Sequence, residues 1–333
     1  GMWSVTLTDS FQIVVAITGL VILTSATLSD PLLGNGNPFV GFSILFEKLG
    51  AEHPDHLRLW PDYAKAGSTR TYVTAVLSVL AAWATGLFGN IPGQDLQQRV
   101  FAAKNANTAS RACILAGVLY LAFGCLPLIL GFASLVTHPG GDLEPVAFLA
   151  NTYLSPAMLV VFVLAVVSMI ISTATSAVLA PATILGHNLL ARISFFQKRK
   201  PLFRDRLSVV LVSLGGISVA MLGESLMGLL DIALSIQLSA LFVPVLCGIY
   251  GRPKNQACCV LAMLFGCTAW SGTYANEVFS PAYPQFLLNM QCIPSDFYGV
   301  TASIFGYGLG SWISQSAPPK SFPPALSDKT VPI

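Results

Sequence analysis

The sequence predicts an all-α integral membrane protein, on three observations. Of its 333 residues, 54% are hydrophobic and 10% charged, with a mean hydropathy of +0.70, whereas soluble domains carry about 25% charged residues. Apolar runs recur at 10–29, 71–89, 112–137, 155–190, 207–223, 226–250, 256–275 and 297–314, mostly near the roughly 20 residues with which a helix crosses a bilayer core. The alternating segments of about 10 residues that mark a strand barrel are absent, and helices are then the elements that satisfy their own backbone in lipid. The expected organisation is a polytopic domain over 1–314, with eight spans, and a disordered cytoplasmic tail over 315–333.

The first run does not read as a secretory leader. Asp9 stands where a basic flank belongs, and no small-residue cleavage site follows. In "TDSFQ", Asp9 and Gln12 lie three residues apart, and a helix N-terminus favours that aspartate. The connection over 30–70 opens with the turn-rich "DPLLGNGNPFVG" and continues in "FSILFEKL", which reads as a short interfacial helix beside an outer vestibule. Farther on, "EHPDH" sets His53 and His56 beside Glu52 and Asp55. Pro54 opposes the helix that would make a metal pair of the histidines, so a solvated loop is expected.

The second run ends in "GNIPGQDLQQR", where the helix is expected to break near Gly89 and Pro92. Two readings stand side by side. Either the break marks the helix end at the interface, or it frees amides and carbonyls that protein or water must line at membrane depth.

Run 112–137 is uninterrupted by charge. Run 155–190 contains "VVSMIISTATSAVLAPATILGHNLL", which places Ser168, Ser172 and Ser176 four residues apart, with Thr173, Thr175 and Thr183 close to that face. Such a stripe either bonds its own preceding turn and a neighbouring helix or offers oxygen ligands to a hard cation such as sodium. Pro181 is expected to kink the lower part of this helix, and His187 to act as a helix-end cap.

The basic stretch "QKRKPLFRDR" before run 207–223 reads as a topological loop rather than a nucleic-acid patch. Run 226–250 carries Asp231, Ser235, Gln237 and Ser239, and Gln237 is a candidate solute contact. Runs 256–275 and 297–314 complete the spans, and the tail "QSAPPKSFPPALSDKTVPI" is proline-rich and polar. The seven cysteines show no paired CxxC spacing and read as small packing residues.

If the spans alternate in direction, one set of loops holds thirteen of the seventeen lysines and arginines. Those loops and both ends of the chain then face the cytoplasm, and a bacterial inner membrane is the expected location.

Three segments carry a family resemblance. "GMWSVTLTDSFQ" is similar to the "GG-x-x-A-V-x-x-T-D-x-x-Q" start of a core helix in the sodium:solute symporters, which include sodium-coupled sugar, proline, pantothenate and iodide carriers. "GNIPGQDLQQRVFAAKN" resembles that family's "Q-R-x-x-A-A-K" segment, and "ISTATSAVLAPATIL" its "M-S-T-x-x-S-x-L-x-x-x-S". The three occur in the family's order, over Gly1 to about Trp312.

The resemblance implies the leucine-transporter fold of two inverted five-helix repeats, with substrate and ion near the midplane at broken helices. The chain would hold core helices five to ten plus two C-terminal helices. An extra helix and four core helices would precede Gly1, so the chain reads as an N-terminally truncated member. Ser172 and Thr173 match the hydroxyl pair that ligates the coupling sodium, with the Met169 carbonyl one turn earlier as a further oxygen. Gly86 to Gly93 match the unwound segment. The solute-binding set implied there, with Gln237 added, is Gly86, Phe88, Gly89, Asn90 and Gln94. "IPGQD" departs from the sugar and proline carriers, which leaves the solute open.

The function so implied is secondary active transport: sodium moving inward drives uptake of a small polar solute by alternating access. Sodium is the implied ion, with no other metal, and the partners are the solute and membrane lipid, not nucleic acid. A proton-coupled or uncoupled carrier is the alternative, for which Asp231 is the candidate relay. A non-transporting sensor on a carrier fold is a further one. An integral-membrane enzyme is disfavoured, because the sequence has no HExxH, GxSxG or Walker loop.

Overall fold

The computed structural model describes residues 2–138, 144–222, 225–251, 256–278 and 293–315, and every regular element among them is helical. Among the described residues, six helical segments are long and apolar enough to cross a membrane: Leu7–Leu28, Thr69–Phe88, Ala106–Thr137, Pro156–Arg192, Leu226–Tyr250 and Gln256–Ala275. The expected runs 207–223 and 297–314 fall on helices Pro201–Leu222 and Ser295–Gln315. Cys292 and the tail beyond Gln315 lie outside the described residues.

The chain divides into two compact units. The first comprises Gly1–Leu59 and Gln94–Leu222, the second Trp60–Gly93 and Gly223–Ile333.

In the first unit, α1 (Met2–Leu28) packs on α2 (Pro38–Glu52), α6 (Ala106–Thr137), α7 (Pro145–Tyr153) and α8 (Pro156–Ile184). Asn37 caps α2 by accepting the Phe39 amide, with Pro38 at the first helical position, where its missing N–H costs nothing. The turn before it uses left-handed backbone at Asn35 and Gly36. The expected interfacial helix is therefore longer than "FSILFEKL", and one face of it is internal. Leu45 and Leu49 are fully buried with Leu28, Leu33 and Ala133, because their spacing of four puts both on the same side. A second cluster joins Leu23, Leu130, Leu149 and Phe162.

His53 precedes and His56 lies within a 3-10 turn, Pro54–Leu57, with their rings 5.7 Å apart. Pro54 initiates this turn where a loop was expected, since proline is preorganised for a first helical position. No grouping of His, Cys, Asp and Glu suited to a metal occurs among the described residues. Beyond the spans, burial together with the Asp30 carboxylate raises the Tyr153 phenol above its ordinary pKa.

α8 runs through Pro181 and widens into a π turn at Leu185–Leu189, where the Leu185 amide is shared between the Ala182 and Pro181 carbonyls. His187 sits in that turn, 3.6 Å from Asp205 at the start of α10 (Pro201–Leu222).

In the second unit, Asp62 and Gly67 bound the short α3 (Tyr63–Ala66), and Ser68 caps α4 (Thr69–Phe88) by accepting the Thr71 amide. Beyond α5 (Gln94–Phe101) of the first unit and the short α9 (Ser194–Gln197), the second unit resumes with α11 (Leu226–Ile236). A π segment, Gln237–Phe242, and α12 (Val243–Tyr250) follow. Pro244 explains the π segment. Its ring would clash with the carbonyl four residues back, and a wider turn moves that carbonyl aside.

α13 (Gln256–Val278) and α14 (Ser295–Gln315) pack along one another, the most extensive helix pairing among the described residues. Gly299, Ser303, Gly306 and Gly310 line one face of α14 at spacings of four, three and four. At Gly310 an added Cβ would meet the Cys258 backbone at 2.6 Å, and at Gly306 the Leu261 carbonyl at 2.5 Å. Lipid supplies no hydrophobic drive between helices, so close approach at small residues carries such a pair.

Gly266→Ala tests that packing. Its Cβ would overlap the Ser239 carbonyl and reach Ser303 Cβ at 3.0 Å, so a loss of about 1–3 kcal/mol is expected. Gly248→Ala meets nothing within 4 Å and should hold or gain up to about 1 kcal/mol. Apparent melting temperatures of the two variants in nanodiscs check the contrast.

Candidate functional site

The break after α4 is present. Residues 89–93 form turns between α4 and α5, and the boundary between the two units falls at the end of this stretch. The unwound part is shorter than expected, however, for Gly86 and Phe88 remain helical. Pro92 accounts for the limit. Its ring excludes a normal bond at the Phe88 carbonyl, which accepts the Ile91 amide instead, while Gly93 donates to Asn90. Upstream, the Gly89 amide still reaches Thr85 at 2.9 Å.

Within the second unit these residues meet the π segment. An added Cβ on Gly89 would lie 2.6 Å from the Leu234 carbonyl, so glycine is what lets α11 approach. The rings of Phe88 and Phe242 are 5.3 Å apart, and the half-buried Gln237 opens the π segment. Gly86 lines a cavity of about 470 Å³. Asn90 is exposed, and Gln94 is an exposed first residue of α5, in the other unit.

The hydroxyl stripe of α8 lies in the first unit and divides in two. Thr173 and Thr175 donate to their own preceding turn, at Met169 (3.0 Å) and Ile171 (2.7 Å). Ser172 and Ser176 reach across to other helices. The Ser172 hydroxyl donates to Asp9 Oδ1 on α1, and Ser176 Oγ accepts from Arg99 Nη2 of α5 at 2.9 Å. Arg99 Nη2 also meets Asp9 Oδ2 at 3.2 Å. Two turns farther along α8, Gln98 donates to the Thr183 hydroxyl at 3.0 Å.

Sequence reading raised Asp9 and Ser172 separately, and the fold joins them with Arg99. Their pairing lacks a sequence signal, because the residues are more than about seventy positions apart and on three different helices. Opposite charges at this distance attract by roughly 4 kcal/mol at an intermediate dielectric. Arg99 is 56% exposed, however, and Asp9 22%, so screening leaves about 0–1 kcal/mol. The pair positions groups more than it stabilises the fold.

The chemistry available is oxygen ligation. A hydroxyl that donates its proton keeps its lone pairs. Ser172, donating to Asp9, and Thr173, donating to Met169, therefore both retain electron pairs for a hard cation, and the Met169 carbonyl keeps a second one.

A family model described as the sodium:solute symporter family matches residues 1–266, from α1 into α13. No curated protein matches the chain significantly.

The energetics separate two substitutions. Arg99→Ala should change stability by less than about 1 kcal/mol, as for exposed ion pairs. Gly89→Ala should cost about 1–3 kcal/mol, because the carbonyl it meets is backbone and must shift. Thermal unfolding of both variants in one nanodisc preparation decides whether the close approach or the ion pair matters more.

Proposed function

We propose that this chain, which belongs to the sodium:solute symporter family, couples inward sodium movement to uptake of a small polar solute by alternating access. The family match over residues 1–266 carries the reading. Sodium is held in this proposal by the oxygens of Ser172 and Thr173, with the Met169 carbonyl as a further ligand. Support comes from their lone pairs and from the nearby Asp9 carboxylate, which adds negative charge without occupying those lone pairs.

The solute, in the same proposal, contacts the break and the π segment through Gly86, Phe88, Gly89, Asn90, Gln94 and Gln237. Irregular backbone of this kind supplies polar groups that a continuous helix would consume. The basic loops and both chain ends are assigned to the cytoplasmic side by the lysine and arginine bias.

Uptake into proteoliposomes containing the intact protein, under an inward sodium gradient, tests this. Ser172→Ala and Thr173→Ala should each raise the half-saturating sodium concentration about tenfold, which corresponds to about 1.4 kcal/mol of lost ligation. Ser176→Ala removes a bond to Arg99 instead and should shift it by less than about threefold. Equal sodium activation in all three variants, or uptake that follows pH and ignores sodium, overturns the assignment.

A further inference from the structure

The cavity of about 470 Å³ lies wholly within the second unit, lined by α4, α11, α13 and the start of α14. Its charge is one-signed. Asp231 and Asp296 both line it, and none of its lining residues among the described ones is Lys, Arg or His. Among the described residues, neither carboxylate has an ion-pair partner.

Two of its buried polar groups are also unsatisfied. Thr85 is 7% exposed and Trp270 5%; the Thr85 hydroxyl has no hydrogen-bond partner, while the Trp270 indole N–H and the Ser235 hydroxyl face the Asp296 carboxylate. One carboxylate oxygen of Asp296, itself buried, has no hydrogen-bond partner either. Folded proteins seldom leave such groups unpaired, and two of them on one cavity, beside a second carboxylate, mark a place where something polar binds. The Trp270 ring stacks on Tyr274 with centroids 4.9 Å apart and planes within 9°, and both residues form cavity wall.

Size and chemistry decide the ligand class. The volume suits a small molecule and far exceeds a bare ion, and no metal-suited grouping exists among the described residues. Two carboxylates select positive charge, and an aromatic wall favours an ammonium group over its face. The indole N–H is a donor only and is drawn to an acceptor atom on the ligand beside the Asp296 carboxylate, and the Thr85 hydroxyl can serve either way. Trp270, Tyr274 and Asp296 all lie beyond residue 266, where the family match ends.

We propose that this cavity binds a small hydroxyalkylammonium cation, its ammonium held by Asp231 and Asp296 and its hydroxyl by Trp270 and Thr85. That this cation is the transported solute rests on the carrier reading above; that it binds does not.

Equilibrium binding of labelled ethanolamine to the intact protein in nanodiscs, in a buffer free of sodium and of amines, tests the proposal. Saturable binding is expected, unaffected by excess ethylene glycol, the neutral analogue. Asp231→Asn and Asp296→Asn should each weaken it at least tenfold, and Thr85→Val several-fold, with elution profiles and melting temperatures showing that the variants fold. Should an Asn variant not fold, Trp270→Phe keeps the ring, removes the N–H and should weaken binding several-fold. No saturable binding, or affinities unchanged in these variants, overturns the proposal. So does competition by millimolar sodium chloride equal to that of unlabelled ethanolamine, which would mark an inorganic cation site. Ethanolamine binding without sodium-driven uptake upholds the cavity and removes the carrier reading. Sodium-driven uptake of a neutral solute without ethanolamine binding does the reverse.

Discussion

Every backbone amide and carbonyl that enters lipid must find its partner within the protein, and the architecture follows from that constraint. It makes each long apolar run a helix. It also makes every departure from regular helix informative, because the freed groups must be recaptured. The turns at 89–93 recapture them with local bonds from Gly89, Ile91 and Gly93. The π turns at Leu185–Leu189 and Gln237–Phe242 do so by widening the helix. Each departure has a proline within a few residues, at Pro92, Pro181 and Pro244, since a missing donor and a ring clash are what regular helix cannot absorb.

Side chains face the same requirement on a smaller scale. Thr173 and Thr175 solve it within their own helix, whereas Ser172 and Ser176 solve it through Asp9 and Arg99 on two others. The first solution is local and says little about function. The second gathers a carboxylate, a guanidinium and hydroxyl oxygens at one level of the first unit, a concentration of polarity that packing alone does not require. In the second unit the requirement is left unmet at Thr85 and Asp296, and a cavity stands there.

Close packing supplies what the hydrophobic effect cannot between lipid-embedded helices. Glycines at 266, 299, 306 and 310 bring α13, α14 and the π segment into backbone contact, and Gly89 does the same for α4 and α11. These positions are poor helix formers in water. Their presence within helices is explained by the neighbour each one admits.

The sequence alone determined the helical class, the break near Gly89 and Pro92, and the family, because each depends on local composition or on a contiguous motif. It also located the hydroxyl stripe, though not which hydroxyls cross to another helix. That division depends on which way each side chain turns once α1, α5 and α8 are packed. The buried face of α2 was likewise settled by tertiary contacts, whereas the extent of the break at Gly86 to Gly93 and the π segment before Pro244 follow from the local effect of a proline. The cavity was least legible of all. Asp231 and Ser235 stood out in a span, but Thr85, Trp270 and Asp296 are ordinary residues on three separate helices. Only folding places them on one wall, because the second unit is assembled from chain segments more than a hundred residues apart.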